Sequence, residues 1–143
     1  MPHLVIYYTP NLDAKTDMTL LCRKMADTMI AVRDESGAQV FPTGGTRVLA
    51  YPAAHYAIAD GGAAGKAAGG SGEYGFVYMN LRMGRGRTDA TKIIAGRAVS
   101  AAAKAHFEHL LQTEHIGVTV QIDEGHEAFD EKHSSIHPLF KKA

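Results

Sequence analysis

The chain has 143 residues, one domain at about 150 residues each, and is long enough to bury a core without disulfides or metal staples. Fifteen Lys+Arg balance fifteen Asp+Glu, and apolar residues make up 45%, which argues against a nucleic-acid or membrane binder driven by bulk positive charge. One cysteine, Cys22, excludes an intramolecular disulfide and makes a reducing, cytoplasmic setting the expectation; no stretch reaches the roughly 18 apolar residues of a membrane span, and no signal peptide is expected at the start.

Residues 3–8, HLVIYY, are β-branched and aromatic and stop at Thr9-Pro10-Asn11, which predicts a strand closed by a turn. From about 17 to 34, Leu21, Met25, Thr28, Met29 and Val32 share one helical face, with Asp17 or Thr19 as cap and Gly37 just past the end. The loop FPTGG at 41–45 leads into a second strand from Thr46 to about Tyr56, where Pro52 points to an edge or bulge. Residues 59–73, ADGGAAGKAAGGSGE, lack apolar periodicity and read as a flexible loop. The pattern then repeats. Tyr74–Met83 is a strand and Gly84–Arg87 a turn; Thr88 or Asp89 caps a long Ala-rich helix to about Thr113, with Ile94, Ala98, Ala101 and Ala105 toward a sheet. Val118, Val120 and Ile122 alternate with polar residues as a half-buried strand. In the tail, Phe129, Ile136, Leu139 and Phe140 are apolar anchors expected to dock on the body or a neighbour.

The order is therefore β-α-β, loop, β-α-β. Right-handed crossovers let two such units share one four-stranded sheet with both helices on one face, an α+β fold. A single domain follows, with one unit over 1–58, the loop at 59–73, the second unit over 74–124 and the tail at 125–143. The face without helices needs a partner, so a homo-oligomer is expected.

Three features offer chemistry. Removal of an initiator Met before Pro2 would leave a secondary amine at a fixed place on a rigid strand. An α-amino group has an ordinary pKa of about 7.7–8.0, and burial or nearby positive charge lowers it, which suits a general base near neutral pH. Arg47 follows the 44–45 glycines. Arg85 and Arg87 flank a strand-to-helix turn, where free N–H groups and the helix dipole favour a carboxylate or phosphate. Neither a phosphate-binding Gly-Lys-Ser/Thr loop nor a dinucleotide fingerprint is present, so a nucleotide cofactor is not expected. His126, His133 and His137 read as surface histidines and not metal ligands, since Pro138 interrupts any helix. His106 and His109 lack an accompanying acid, and Cys22 reads as a buried small hydrophobe.

Met-Pro-His at the start, FPTGGTR at 41–47, FVYMNLRMGRGRT at 76–88 and IHPLF at 136–140 together resemble the 5-carboxymethyl-2-hydroxymuconate isomerases of the tautomerase superfamily. The resemblance runs over nearly the whole chain in the same order. It implies a trimer, no cofactor, an amino-terminal proline base at Pro2, and two active-site arginines at Arg47 and Arg87. The stretch at 59–73, the first helix and the loop before Phe41 are longer than it implies. The implied substrate is a dienol bearing several carboxylates. Ketonisation removes a proton from the enol oxygen and delivers one to a distant carbon, which one base can do. Arg47, Arg87 and Arg85 would bind carboxylates and stabilise charge on the 2-oxygen. The alternatives are another proline-based tautomerase, hydratase or decarboxylase, and a non-catalytic trimeric protein that binds a small anion.

Overall fold

A computed structural model describes residues 2–141; Met1, whose removal the proline reading requires, lies outside the described residues. The chain forms β1 (His3–Tyr8), α1 (Met18–Ala31), β2 (Arg47–Pro52), α2 (Ala63–Ala67), β3 (Tyr74–Met83), α3 (Asp89–Thr113) and β4 (His115–Glu124). The four strands make one mixed sheet in the order β2-β1-β3-β4. Each β-α-β unit pairs its own strands in parallel, β1 with β2 and β3 with β4, and the units join through an antiparallel β1–β3 pair. The expected α+β architecture is the one observed.

Period-two alternation divides the sheet. Leu4, Ile6 and Tyr8 of β1 and Val77, Met79, Leu81 and Met83 of β3 are buried in one cluster with Leu21, Met25 and Met29 of α1. On the opposite face Tyr7 stacks within 6.3 Å of Tyr78 and 5.9 Å from Tyr51, and Tyr7 and Tyr51 remain 46% and 48% exposed. Helix α1 starts where the sequence indicates: the Asp17 carboxylate accepts from the Leu20 amide at 2.9 Å. Pro52 ends β2 at the sheet edge, where a missing N–H removes no ladder bond.

Two expectations are corrected. The core stripe of α3 is Thr91, Ala95, Val99, Ala103, Phe107 and Leu110, not Ile94, Ala98, Ala101 and Ala105. The two stripes centre about 130° apart around a helix with 3.6 residues per turn. Alanine spacing fits either, and the large side chains Val99, Phe107 and Leu110 decide which line enters the core.

The 59–73 stretch, expected to lack regular structure, contains α2. Its first turn is capped by Asp60, whose carboxylate accepts from the amides of Gly62 (2.9 Å) and Ala64 (2.8 Å); those bonds hold its carboxyl below the usual range. Gly62 has φ +110°, and a side chain there would strike the Gly72 carbonyl, so this turn requires glycine. The Gly65 amide donates to the Tyr74 hydroxyl at 3.0 Å, fixing the segment at the start of β3. There Lys15 bridges Glu73 (3.1 Å) and Glu114 (3.2 Å), and Tyr8 donates to Asp13 (2.8 Å).

The tail returns to the body. Its 3-10 turn His137–Phe140 packs on the 3-10 turn Thr43–Gly45, where a Cβ on Gly44 would come within 2.9 Å of the His137 Cα. Phe129, Ile136, Leu139 and Phe140 stay 80%, 50%, 75% and 53% exposed, so docking on this chain buries none of the expected anchors. Among the described residues no helix is long and apolar enough to cross a membrane.

The corrected α3 face sets a test by urea denaturation. Phe107→Ala is expected to lower unfolding free energy by about 3–5 kcal/mol, whereas Ala101→Ser on the exposed side changes it by under about 0.5 kcal/mol. The reverse ranking would contradict the assigned face.

Candidate active site

Strand direction gathers the sequence candidates at one end of the sheet. β1 and β2 begin there, and β3 and β4 end there. Pro2, the Thr43–Arg47 segment and the Gly84–Thr88 turn therefore share that end, whereas α2 lies at the opposite one. Pro2 is buried, and its carbonyl accepts from the Arg47 amide at 3.2 Å, extending the β1–β2 ladder.

The Arg47 guanidinium folds back onto its own loop, Nη1 donating to the carbonyls of Gly44 (2.8 Å) and Thr46 (3.0 Å). Arg87 approaches the same loop from the other side. Its Nη2 donates to the Val40 carbonyl at 3.1 Å and its Nη1 to Gly84 at 3.2 Å, and Cζ stands 5.3 Å from the centre of the buried Phe41 ring. Pro2 and Arg87 are thus brought to opposite ends of one loop, 40–47. Arg85 is not brought in. It is exposed and faces outward, its Nη2 3.4 Å from His126 Nε2 at the start of the tail.

Register adds a feature that sequence reading does not reach. Arg47 pairs with His3, His3 with Arg82, and Arg82 with Asp123, so these four side chains form one row across all four strands on the face without helices. Arg82 Nε donates to Asn80 Oδ1 at 2.7 Å, and Asn80 Nδ2 donates to Asp123 Oδ2 at 2.8 Å. Asn80 is only 1% exposed, so both amide groups are satisfied where losing either partner is costly. Burial pushes the His3 imidazole below its usual range, and the charges of Arg47 and Arg82 push the same way against Asp130. A cavity of about 520 Å³ opens beside His3 and Arg82, closed by tail residues that include Asp130 and Lys132, themselves an ion pair. No local motif encodes this row; only strand pairing assembles it.

His137 also differs from expectation. It is half-buried, its Nδ1 is shielded without a hydrogen-bond partner, and its ring packs on Gly44. Among the described residues no group of three or more His, Cys, Asp or Glu could hold a metal ion.

With this geometry in place, comparison with known proteins is decisive. The family model for 5-carboxymethyl-2-hydroxymuconate isomerase matches residues 2–140. The chain belongs to that family. A crystal structure of a 5-carboxymethyl-2-hydroxymuconate delta-isomerase is 59% identical, with a TM-score of 0.96 over all of this chain and 95% of the other. A 5-carboxymethyl-2-hydroxymuconate isomerase from Deinococcus radiodurans R1 is 29% identical, with a TM-score of 0.80 over 99% of this chain and 95% of its own. The Escherichia coli 5-carboxymethyl-2-hydroxymuconate Delta-isomerase is 26% identical over 141 residues, 99% of this chain and 100% of that protein. The four-stranded α+β fold is shared with these solved structures of the family, as the resemblance implied. Membership in this isomerase family makes the sheet end with Pro2 the candidate active site.

His3 has a pH consequence that His106 shares. Burial and then Lys24 lower His106, whose Nε2 lies 2.8 Å from the Thr16 hydroxyl. Both histidines are less basic folded than unfolded. The unfolded chain therefore binds more protons below the ordinary value of 6.5, and stability falls as pH drops through that value. Urea midpoints measured from pH 7.5 to 5 are expected to decline below about 6.5, less steeply in His3→Gln/His106→Gln. An unchanged slope in the double variant would refute the assignment.

Proposed function

We propose that this isomerase-family member ketonises 5-carboxymethyl-2-hydroxymuconate, or a closely similar unsaturated hydroxy-polycarboxylate of aromatic catabolism, in the cytoplasm and as a homotrimer. In this reading the Pro2 amine, freed of Met1, takes the proton from the 2-hydroxyl and returns one to the distant carbon. Arg47 and Arg87 bind carboxylates and stabilise the charge that develops on the 2-oxygen. Such donors act most strongly where water is excluded and the groups are held in advance. Arg85, exposed at the same turn, stands as an outer carboxylate contact.

The observation that carries the reading is the shared loop. Pro2 is tied to Arg47 by backbone pairing, and Arg87 is stacked on the loop that Arg47 ends, within a chain 59% identical to a protein solved as the delta-isomerase. A polyanionic substrate suits two guanidinium groups held against one loop, since each can hold a carboxylate through two parallel hydrogen bonds. The trimer rests on the uncovered face, where Tyr7, Leu49 and Tyr51 remain exposed together, and on the uncovered tail anchors.

The test is spectrophotometric. Protein whose mass confirms loss of Met1 is mixed with 5-carboxymethyl-2-hydroxymuconate and the dienol absorbance is followed. Pro2→Ala is expected to lower kcat about 10²–10⁴-fold, and Arg47→Ala and Arg87→Ala to lower kcat/KM about 10²–10³-fold. Sedimentation is expected to give three times the chain mass. No acceleration by protein with a free Pro2 amine would overturn the substrate. Full activity of Pro2→Ala would overturn the base.

A further inference from the structure

The segment before Phe41 is held by a second clamp that neither the sequence motifs nor the family reading uses. Val32 leaves α1, and residues 34–40 form a compact polar turn. The Asp34 carboxylate organises it from within, accepting from the amides of Ser36 (2.8 Å) and Ala38 (3.0 Å). Glu35 points out of this turn to the first turn of α3. Its carboxylate accepts from the Thr88 hydroxyl at 3.0 Å and from the Thr91 hydroxyl at 3.2 Å on each oxygen. Thr88 is the helix cap, its hydroxyl also accepting from the Thr91 amide at 3.1 Å, and Thr91 is buried. A carboxylate at this position also meets the positive end of the α3 dipole.

Thr88 immediately follows Arg87, and the turn that Glu35 anchors ends at Val40 and Phe41. These are the groups that hold the Arg87 side chain, through the Val40 carbonyl and the Phe41 ring. The two clamps are therefore in series. Glu35 fixes the turn against α3, and the fixed turn presents the carbonyl and ring that aim the guanidinium. Without Glu35, the turn keeps its internal Asp34 bonds and its contact with the Arg87 side chain but loses its tie to Thr88 and Thr91 at the start of α3.

We infer that Glu35 is a positioning residue of the active site, which by bridging the 34–40 turn to Thr88 and Thr91 sets the orientation of Arg87 toward a substrate carboxylate. The inference rests on the reading of Arg87 as a substrate-binding residue. The contact at issue is the one Arg87 makes to a substrate carboxylate, which is present before and during proton transfer alike, so its loss is read in KM more than in kcat; among the described residues no hydrogen bond links Pro2 to this clamp.

The experiment is a double-mutant cycle in the isomerase assay, with KM and kcat determined separately. Glu35→Ala is expected to raise KM about five- to tenfold with kcat within about twofold, and Glu35→Gln, which keeps an acceptor oxygen, to fall between it and the parent. Thr91→Val should reproduce part of the rise. In an Arg87→Ala background Glu35→Ala should add nothing, because the group it positions is gone. If Arg87→Ala leaves KM unchanged, the role of Arg87 itself fails. If Arg87→Ala raises KM while Glu35→Ala does not, or if the two effects add fully, the positioning role of Glu35 is overturned. Equal losses in kcat and thermal stability across the Glu35 variants, with KM unchanged, would mark Glu35 as structural only and overturn it too.

Discussion

The parallel pairing of β1 with β2 is the constraint on which the rest depends. It runs one residue past the strand, to the bond between the Pro2 carbonyl and the Arg47 amide. A parallel pair cannot be joined by a tight turn, so a helix must carry the chain back across the sheet. That crossover places the start of both strands, and hence Pro2 and Arg47, at the same end. The second unit repeats the arrangement and joins antiparallel through β3, which turns its strand ends toward that same edge. Arg87 reaches the Phe41–Arg47 loop because the turn after β3 lies where β1 begins.

The Pro2 end of the sheet is held by polar contacts more than by burial. Arg87 is oriented by two backbone carbonyls and an aromatic face, Arg47 by two carbonyls of its own loop, and Arg82 through Asn80 to Asp123. Each charged group has part of its hydrogen-bonding capacity committed to the protein and part left over. That is the condition for binding an anion in a defined orientation, because a guanidinium already held loses less freedom when the ligand arrives. The opposite end of the sheet is organised differently. There burial and then the bond to Asp13 push the Tyr8 phenol up to about 12, Lys15 joins two carboxylates, and α2 lies close against Tyr74. The long glycine-rich stretch belongs to that end within its own chain.

Much of this was legible in the sequence. β3 spans Tyr74–Met83, the residues read as a strand, and α1 and α3 start at caps the sequence contains, Asp17 and Thr88. Alanine-rich periodicity could not choose the buried face of α3, since alanines lie on more than one side of the helix and pack as readily on any of them. Helix α2 was missed because glycine and alanine carry no apolar period; its stability comes from a side chain outside the helix, Asp60, and from Tyr74. Pro2, Arg47 and Arg87 could be named from short motifs. Their mutual placement, the His3–Arg82 row and the Glu35 clamp could not, since the partners lie tens of residues apart and meet only through strand register and loop packing.

The central claim is that one end of the sheet is the site. It is tested most directly by amide chemical-shift mapping of the isotopically labelled protein with a saturated, non-isomerisable tricarboxylate analogue of the substrate. The account predicts perturbations concentrated at His3, at Thr43–Arg47 and at Met83–Thr88, with Tyr8–Asp13 and Asp60–Tyr74 of the same chain unaffected. Perturbations confined to the Tyr8–Asp13 end, or absent from both arginine-bearing loops while the analogue binds, would contradict it.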